Sequence, residues 1–388
     1  MRPTLGKVVI AGAGVIGASC AWHLKRLGAG EVLLLDQGDG PGAGSTGRAT
    51  GGFRAQYGSS INIRLSLLAR EQLLRFERDT GVDPQFLQAG YLWLARTQSD
   101  LAALGAAWAL QQQEGLREAR LVDAQEAARL NPFVSMAGVL GAAFSPTDGF
   151  LRQLELLRGF LQGAQRLGAE VQFGARVTGL VCEGDRITSV RSTAGDYACD
   201  HFIDAAGPWA AHVARLAGVD LPVTPLRRQV ACTAPTAALP ATMPMTLWCD
   251  DAFHLRVRDG RVLLLRPTPG NPSDLYDTSV EPAWLDAIEA TTRERVPGLA
   301  SVPLDRAQAW GGLYEESPDH HALLGRAPGL ANLWLCNGSS GHGVMHAPAL
   351  GLLLAEQLLF GEFRSLDARA LRPERFIEGE PVAGSAVL

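Results

Sequence analysis

Two rhythms of apolar residues organise this chain. The first is an unbroken run, Val8-Val9-Ile10, followed by Gly12-Ala13-Gly14-Val15-Ile16-Gly17 and a helical-period segment through Leu27. Gly28-Ala29-Gly30 stops that segment, and a second apolar run from Val32 to Leu35 ends at Asp36. Short unbroken runs mark strands buried on both faces, and a period of 3.6 marks a helix. Strand, glycine turn, helix, strand, acid is the order a dinucleotide-binding unit needs. Gly12 permits the tight turn, Gly14 removes the Cβ that would hold a pyrophosphate away, and Gly17 lets the helix lie close on the strand. The free N–H groups and the dipole at the helix start favour a phosphate. Asp36 can accept hydrogen bonds from a ribose diol and would repel a 2′-phosphate, which argues against NADP.

Periodicity predicts helices over 61–80, 100–115, 123–130 and 151–167, and strands over 90–95, 170–173, 176–183, 186–192 and 196–203, with a turn at 144–149. The stretch Phe202-Ile203-Asp204-Ala205-Ala206-Gly207-Pro208-Trp209 reads as a second strand meeting a small-residue turn and a helix. The second rhythm begins near 221. Prolines cluster, and short strands over 226–233, 253–257 and 261–265 dominate, the last two joined by a turn at Asp259-Gly260. A third strand then feeds Asn337-Gly338-Ser339-Ser340-Gly341-His342-Gly343-Val344-Met345 and an apolar helix to Phe360. The pattern predicts an α/β chain: a Rossmann-like dinucleotide domain (1–84, 145–219, 322–388) with an inserted α+β substrate domain on an antiparallel or mixed sheet (85–144, 220–321).

Composition narrows the class. At 388 residues the chain exceeds one usual core, and 47% hydrophobic with 19% charged residues fits a globular enzyme. A net charge of -5 argues against a nucleic-acid partner. The N-terminal apolar run is too short and glycine-broken to span a bilayer, and no cleavage-site pattern follows it, so a cytoplasmic protein without a membrane span is expected. Six scattered cysteines with no CxxC pair point away from a disulfide framework or zinc site. Adjacent His320 and His321 point opposite ways on an extended chain, so no metal site is expected there either. Lys7 and Lys25 are the only lysines, so any active-site cation is Arg or protonated His.

After Asp36 runs a glycine-dense segment containing Gly44-Ser45-Thr46-Gly47-Arg48-Ala49-Thr50-Gly51-Gly52-Phe53-Arg54. Directly behind the ribose acid, it suits a backbone wrapped on a ligand. With GAGVIG and the acid, it resembles the D-amino-acid oxidase-like flavoenzymes, in the branch of sarcosine oxidase β subunits, β-type proline dehydrogenases and dimethylglycine dehydrogenases. The resemblance extends to W-x-G-x-Y-x-x-x-P-D-H from Trp310 to His320, to G-x-S-G-H-G from Gly338 to Gly343, and to Arg372-Pro373-Glu374-Arg375-Phe376. It therefore covers nearly the whole chain.

The resemblance implies one non-covalent FAD. Its ADP half would lie on Gly12, Gly14, Val15, Ile16, Gly17, Asp36 and Gln37, with the Val177 backbone at adenine. Gly44, Ser45, Thr46, Gly47 and Arg48 would follow the pyrophosphate and flavin, with Gly51, Gly52, Ala205, Ala206, Gly207, Trp209 and Gly312 beside them. Gly338, Ser340, Gly341, His342, Gly343, Val344 and Met345 would open the helix facing the ring, where a reduced flavin carries negative charge. The implied reaction is hydride transfer from a carbon beside nitrogen to flavin N5, giving an imine that water hydrolyses. The substrate would be a small amino acid or an N-methyl or cyclic amine, sarcosine-, proline- or D-amino-acid-like. Arg54 and Arg256 are the candidates for a substrate carboxylate, and His254, then His342, for helping the amine lose its proton.

Departures from the family qualify this. Gly312 stands where monomeric sarcosine oxidases attach flavin through Cys, and Thr147 where the β subunits carry a second flavin on His. Some relatives place a Lys at the position of Met345 and another beside the ring to activate oxygen. A dehydrogenase passing electrons to a carrier or partner subunit is favoured over an oxidase. Two other readings stay open: a flavin-bound assembly or scaffold protein, which no amine would reduce, and an NAD-dependent dehydrogenase, which would purify colourless.

Overall fold

The computed structural model describes residues 5–268 and 270–383. A six-stranded sheet carries the nucleotide-type unit. Its order is Leu323–Arg326, Leu333–Asn337, His201–Asp204, Val8–Ala11, Val32–Leu35 and Glu170–Gln172, parallel except for the first, antiparallel edge strand. Val8 to Ala11 and Val32 to Leu35 are buried throughout, which is why they read as continuous apolar runs. Helices Val15–Arg26, Ser60–Leu74, Gln153–Arg166 and Gly343–Phe360 cover one face. A three-stranded antiparallel sheet, Val177–Glu183, Arg186–Ser192 and Gly195–Ala198, covers the other.

The second sheet has eight strands, in the order Trp310–Glu316, Thr224–Cys232, Arg261–Leu265, His254–Arg258, Met245–Trp248, Tyr91–Ala95, Gly141–Ser145 and Arg120–Val122. All its pairings are antiparallel except Met245–Trp248 with Tyr91–Ala95. The hairpin turns at Asp259 and Gly260, both with positive φ (54° and 68°), as a two-residue turn of this hand requires. Helices Ala124–Leu130 and Pro282–Arg295 pack on its far face, and its near face looks toward the parallel sheet. Each sheet draws on several separate stretches of chain.

Two expected elements are divided. The 61–80 helix breaks at Arg75 into Ser60–Leu74 and Phe76–Thr80. The 196–203 strand ends at Ala198 and restarts at His201, because the chain passes there from the three-stranded sheet into the parallel one. His320 and His321 do diverge: His320 contacts Glu316, while His321 Nε2 meets Ser59 Oγ at 2.8 Å. Their turn is fixed by Asp319, whose carboxylate takes Arg375 at 2.8 and 2.9 Å in a buried bidentate pair.

Gly343–Phe360 is long and apolar enough to cross a membrane by composition alone, but 67% of it is buried inside the fold. It crosses Val15–Arg26 at close range. Ser19 Oγ donates to the Ala347 carbonyl at 2.7 Å, and a Cβ on Gly351 would sit 2.6 Å from the Ser19 backbone carbon and 2.8 Å from the Cys20 nitrogen. Gly351→Ala is therefore expected to destabilise by about 2–4 kcal/mol, since backbone must move to admit the methyl. Thermal unfolding of the variant checks this; an unchanged Tm would refute the close-crossing argument.

Candidate active site

A cavity of about 780 Å³ lies between the carboxyl ends of the parallel strands and the near face of the eight-stranded sheet. Open α/β sheets bind ligands at those strand ends. Three strand-to-helix corners meet there.

The first follows Val8–Ala11. Gly12 has φ +98°, and a Cβ on it would approach the Ala205 carbonyl oxygen to 2.4 Å. Gly14 begins the helix with no side-chain cap, and Val15 N–H donates to Thr46 Oγ1 at 3.1 Å. Asp36 is pinned on the wall: its oxygens accept from Ala13 N–H at 2.7 Å and Gly38 N–H at 2.8 Å. Gln37 and Val177 flank it. The second corner presents Ala205, Ala206, Gly207 and Trp209. The third presents Ser340, Gly341, His342, Gly343, Val344 and Met345, and its helix also starts with no side-chain cap. Gly341 has φ +85°, and a Cβ there would fall 2.4 Å from the Tyr314 ring.

The glycine-dense segment crosses between these corners, and Gly44, Ser45, Thr46, Arg48, Gly51 and Gly52 all line the cavity. It is stapled to the upper sheet. Ser45 Oγ donates to the Leu313 carbonyl at 2.7 Å, Arg48 to the Gly311 carbonyl at 2.7 Å, and Trp310 Nε1 to the Arg48 carbonyl at 2.8 Å. Gly312 lines the cavity beside Arg48.

The upper sheet roofs the cavity with one cross-strand row. Trp93, Leu247, His254, Leu265 and Val230 are successive register partners and all line it. His254 sits mid-row. Its Nδ1–H donates to the Ala252 carbonyl at 2.8 Å, leaving Nε2 as an acceptor. Desolvation among these apolar neighbours pulls its pKa down to about 4, so the ring is neutral near pH 7. His342 is held well below its usual pKa by burial and then by Arg54, whose Nη2 lies 3.3 Å from His342 Nε2.

Arg54 lies half-buried on the wall. One Nη donates to the Gln56 carbonyl at 2.9 Å, and the guanidinium stands 4.1 Å from the Tyr57 ring centre and 4.9 Å from that of Trp93. No carboxylate among the described residues pairs with it. Next to it, Trp93 Nε1 is buried with no hydrogen-bond partner among the described residues. Trp93 and Tyr91 were not among the residues the sequence singled out. Their only signal is alternation along 90–95, which a strand with one face on a core would show equally.

Four expectations need correction. Arg256 does not reach the cavity: it is 4% exposed, donates to the Thr50 carbonyl at 2.7 Å, and stacks 3.9 Å from the Phe150 ring centre. Two residues along the strand from His254, it falls beneath the 50–51 turn. Gly17 does not line the cavity; it stands behind the first corner, where a Cβ would meet the Gly12 carbonyl oxygen at 1.9 Å, in the close-packing role its spacing gave it. Gly47 closes on the Gly42 carbonyl oxygen (2.1 Å to a Cβ) rather than facing the cavity. Gly338, with φ +68°, turns the chain against Leu323 and does not line the cavity.

Comparison with known proteins agrees with this geometry. Residues 7–357 match the family described as FAD dependent oxidoreductase. The chain belongs to that family. It is 28% identical to 4-methylaminobutanoate oxidase (formaldehyde-forming) of Paenarthrobacter nicotinovorans over 96% of this chain and 46% of that protein. It is 27% identical to human mitochondrial dimethylglycine dehydrogenase over 95% of this chain and 44% of that protein. The chain thus spans less than half the length of these two relatives. The crystal structure of L-proline dehydrogenase from P. horikoshii superposes with a TM-score of 0.88 at 25% identity, covering 98% of this chain and 100% of that one.

The residues fit the family's FAD. Gly12 closes the first corner tightly against Ala205, Asp36 offers a fixed acceptor for a ribose, and two long helices without side-chain caps turn their N-termini to the cavity. The Arg54 segment is set in place by buried Asp148, which accepts from Ala55 N–H at 3.0 Å and Gln56 N–H at 3.4 Å. Burial pushes the Asp148 carboxyl up to about 7. A raised carboxyl contributes stability that is fully present below the unfolded value and is lost as pH rises through the folded one. Asp148→Asn, neutral throughout, should therefore gain in Tm relative to the natural protein between about pH 5 and about pH 8. A Tm difference that is flat or reversed across that range would refute the assignment.

Proposed function

We propose that this chain oxidises the C–N bond of a small amine that carries a carboxylate, an amino acid or its N-methyl or cyclic relative, with FAD held non-covalently. The observation that carries the reading is Arg54: a half-buried guanidinium on the cavity wall with no acidic partner among the described residues, beside an unpaired indole N–H. A buried donor without an acceptor is costly, and a substrate carboxylate would satisfy the indole N–H and neutralise the Arg54 charge.

Bound FAD supplies the hydride acceptor. Arg54 Nη and Trp93 Nε1–H fix the carboxylate, and His254 Nε2 accepts a hydrogen bond from the substrate amine. Burial and the nearby Arg54 charge disfavour an ammonium and so favour the amine as free base, the form able to release hydride, while the His254 contact orients its lone pair. Leu247 and Leu265, on either side of His254, exclude water from the reacting carbon, so the imine is hydrolysed after it leaves.

No lysine among the described residues lines the cavity. Lys7 stands 3.8 Å from Glu31, and Lys25 donates to the Gly30 carbonyl at 2.7 Å, both outside it. This supports a dehydrogenase that passes electrons to a carrier or partner subunit rather than to oxygen.

Arg54→Met should raise KM for carboxylate-bearing amines by about 1.5–3 kcal/mol, roughly ten- to a hundredfold, and affect neutral amines much less. Arg256→Met should leave KM within about threefold while lowering Tm, because it removes the support of the 50–51 turn. Steady-state kinetics on both variants decide between them; the opposite pattern would restore Arg256 as the anchor. Reduced protein should pass electrons to an artificial dye at least about tenfold faster than to dissolved oxygen, read by stopped-flow reoxidation.

A further inference from the structure

Three buried acceptor atoms without partners among the described residues gather where the parallel strands end beneath the roof's edge strand. They are Asp204 Oδ2, Asn337 Oδ1 and Glu315 Oε2. Asp204 closes the strand His201–Asp204, and Asn337 closes Leu333–Asn337. Asp204 Oδ1 accepts from Ala206 N–H at 3.1 Å, and Asn337 Nδ2 donates to the Asp204 carbonyl at 3.1 Å.

Glu315 is the member that lines the cavity, between the second and third corners, and it is 8% exposed. Its two oxygens differ. Oε1 accepts from Ser339 N–H at 3.1 Å and from the Ser339 hydroxyl. Oε2 meets nothing and lies 3.7 Å from where a Cβ on Gly207 would stand. No cation among the described residues pairs with it. An ionised carboxylate here would keep one oxygen dry and unpaired, close to a second buried acid. It would also face the most negative part of any dinucleotide. Both costs vanish if Oε2 carries a proton.

We propose that Glu315 binds the cofactor as a carboxylic acid, its Oε2–H donating to an acceptor oxygen in the ribityl–diphosphate section of FAD. Ser339 holds Oε1, and Oε2 is left buried beside Gly207 at the cavity's edge. The ionisable groups around Glu315 are Asp204 from the parallel sheet and Cys336 from the neighbouring strand; Ser339 and the backbones of Gly338 and Gly207 also surround it. Burial pushes Glu315 above the usual carboxylate range, and burial with Glu315 nearby pushes Asp204 up to about 8. Neither acid neutralises the other by charge, so protonation of Glu315 is the available route. FAD then binds best to the protonated form. Affinity is full at low pH and falls as pH rises through the value of the free protein.

The proposal rests on FAD as the ligand, and the test separates the two. Holoprotein is diluted into buffers from about pH 6 to about pH 9, and released flavin fluorescence gives Kd. For the natural protein Kd should rise on the alkaline side, by up to about tenfold per pH unit. Glu315→Gln keeps a donor without a titrating proton. It should bind within about threefold of the natural protein at the acid end and show no pH dependence. Glu315→Ala should weaken binding about tenfold or more at acid pH. A natural-protein Kd constant within about threefold over the range, an undiminished pH dependence in Glu315→Gln, or an unweakened Glu315→Ala would each overturn the proposal. The natural-protein series needs no variant, so a variant that fails to fold leaves the test intact. Protein that retains no FAD at any pH would remove the FAD reading itself.

Discussion

Two long helices can turn their N-termini on one ligand only if their axes come close behind it. Here that approach is made at Gly351, where no Cβ separates Gly343–Phe360 from the backbone of Ser19 and Cys20. Gly17 repeats the device one turn into the first helix, against the Gly12 carbonyl. The Ser19 hydroxyl bonded to the Ala347 carbonyl fixes the crossing. With the helices so docked, the starts at Val15 and Gly343 stand at the edge of one cavity and turn the positive ends of two helix dipoles toward an anionic ligand. The glycines that look idle behind the site set its dimensions.

The roof obeys a different constraint. Side chains alternate along a strand, so every second residue of the eight-stranded sheet faces the cavity, and register decides which residues share a row. That puts Trp93, Leu247, His254, Leu265 and Val230 in line and leaves His254 neutral among apolar neighbours. Arg54 reaches the same row from the opposite wall, on a segment whose amides are tied to Asp148. A cation and a neutral acceptor, held by separate layers, thus address one space.

The nucleotide half was legible because its chemistry is local. The turn at Gly12, the acid at Asp36 and the corner at Gly341 are each specified by a few consecutive residues whose conformational needs can be read directly. The roof was less legible because its assignments depend on distant pairings. His254 and Arg256 look alike in the sequence, both on one face of a strand. Only the turn at Thr50 and Gly51, more than two hundred residues away, decides that one sees the cavity and the other is covered. Trp93 escaped notice for the same reason: nothing near it in sequence marks its indole nitrogen as unpaired.

The wall itself bears on whether such a site is catalytic or merely holds a flavin. Holding the cofactor uses the three corners, Asp36 and the stapled glycine segment. None of those tasks calls for Arg54 to lie between two aromatic rings without an acid, or for the Trp93 indole N–H to be dry and unbonded. Each arrangement costs stability in the absence of a partner, and the two are adjacent. A protein that only carried FAD would be more stable with an acid beside Arg54 or an apolar ring in place of Trp93. An unpaired indole N–H and a guanidinium without an acid, kept next to a neutral imidazole, are what a site needs if it must bind an anionic amine repeatedly and release it each time.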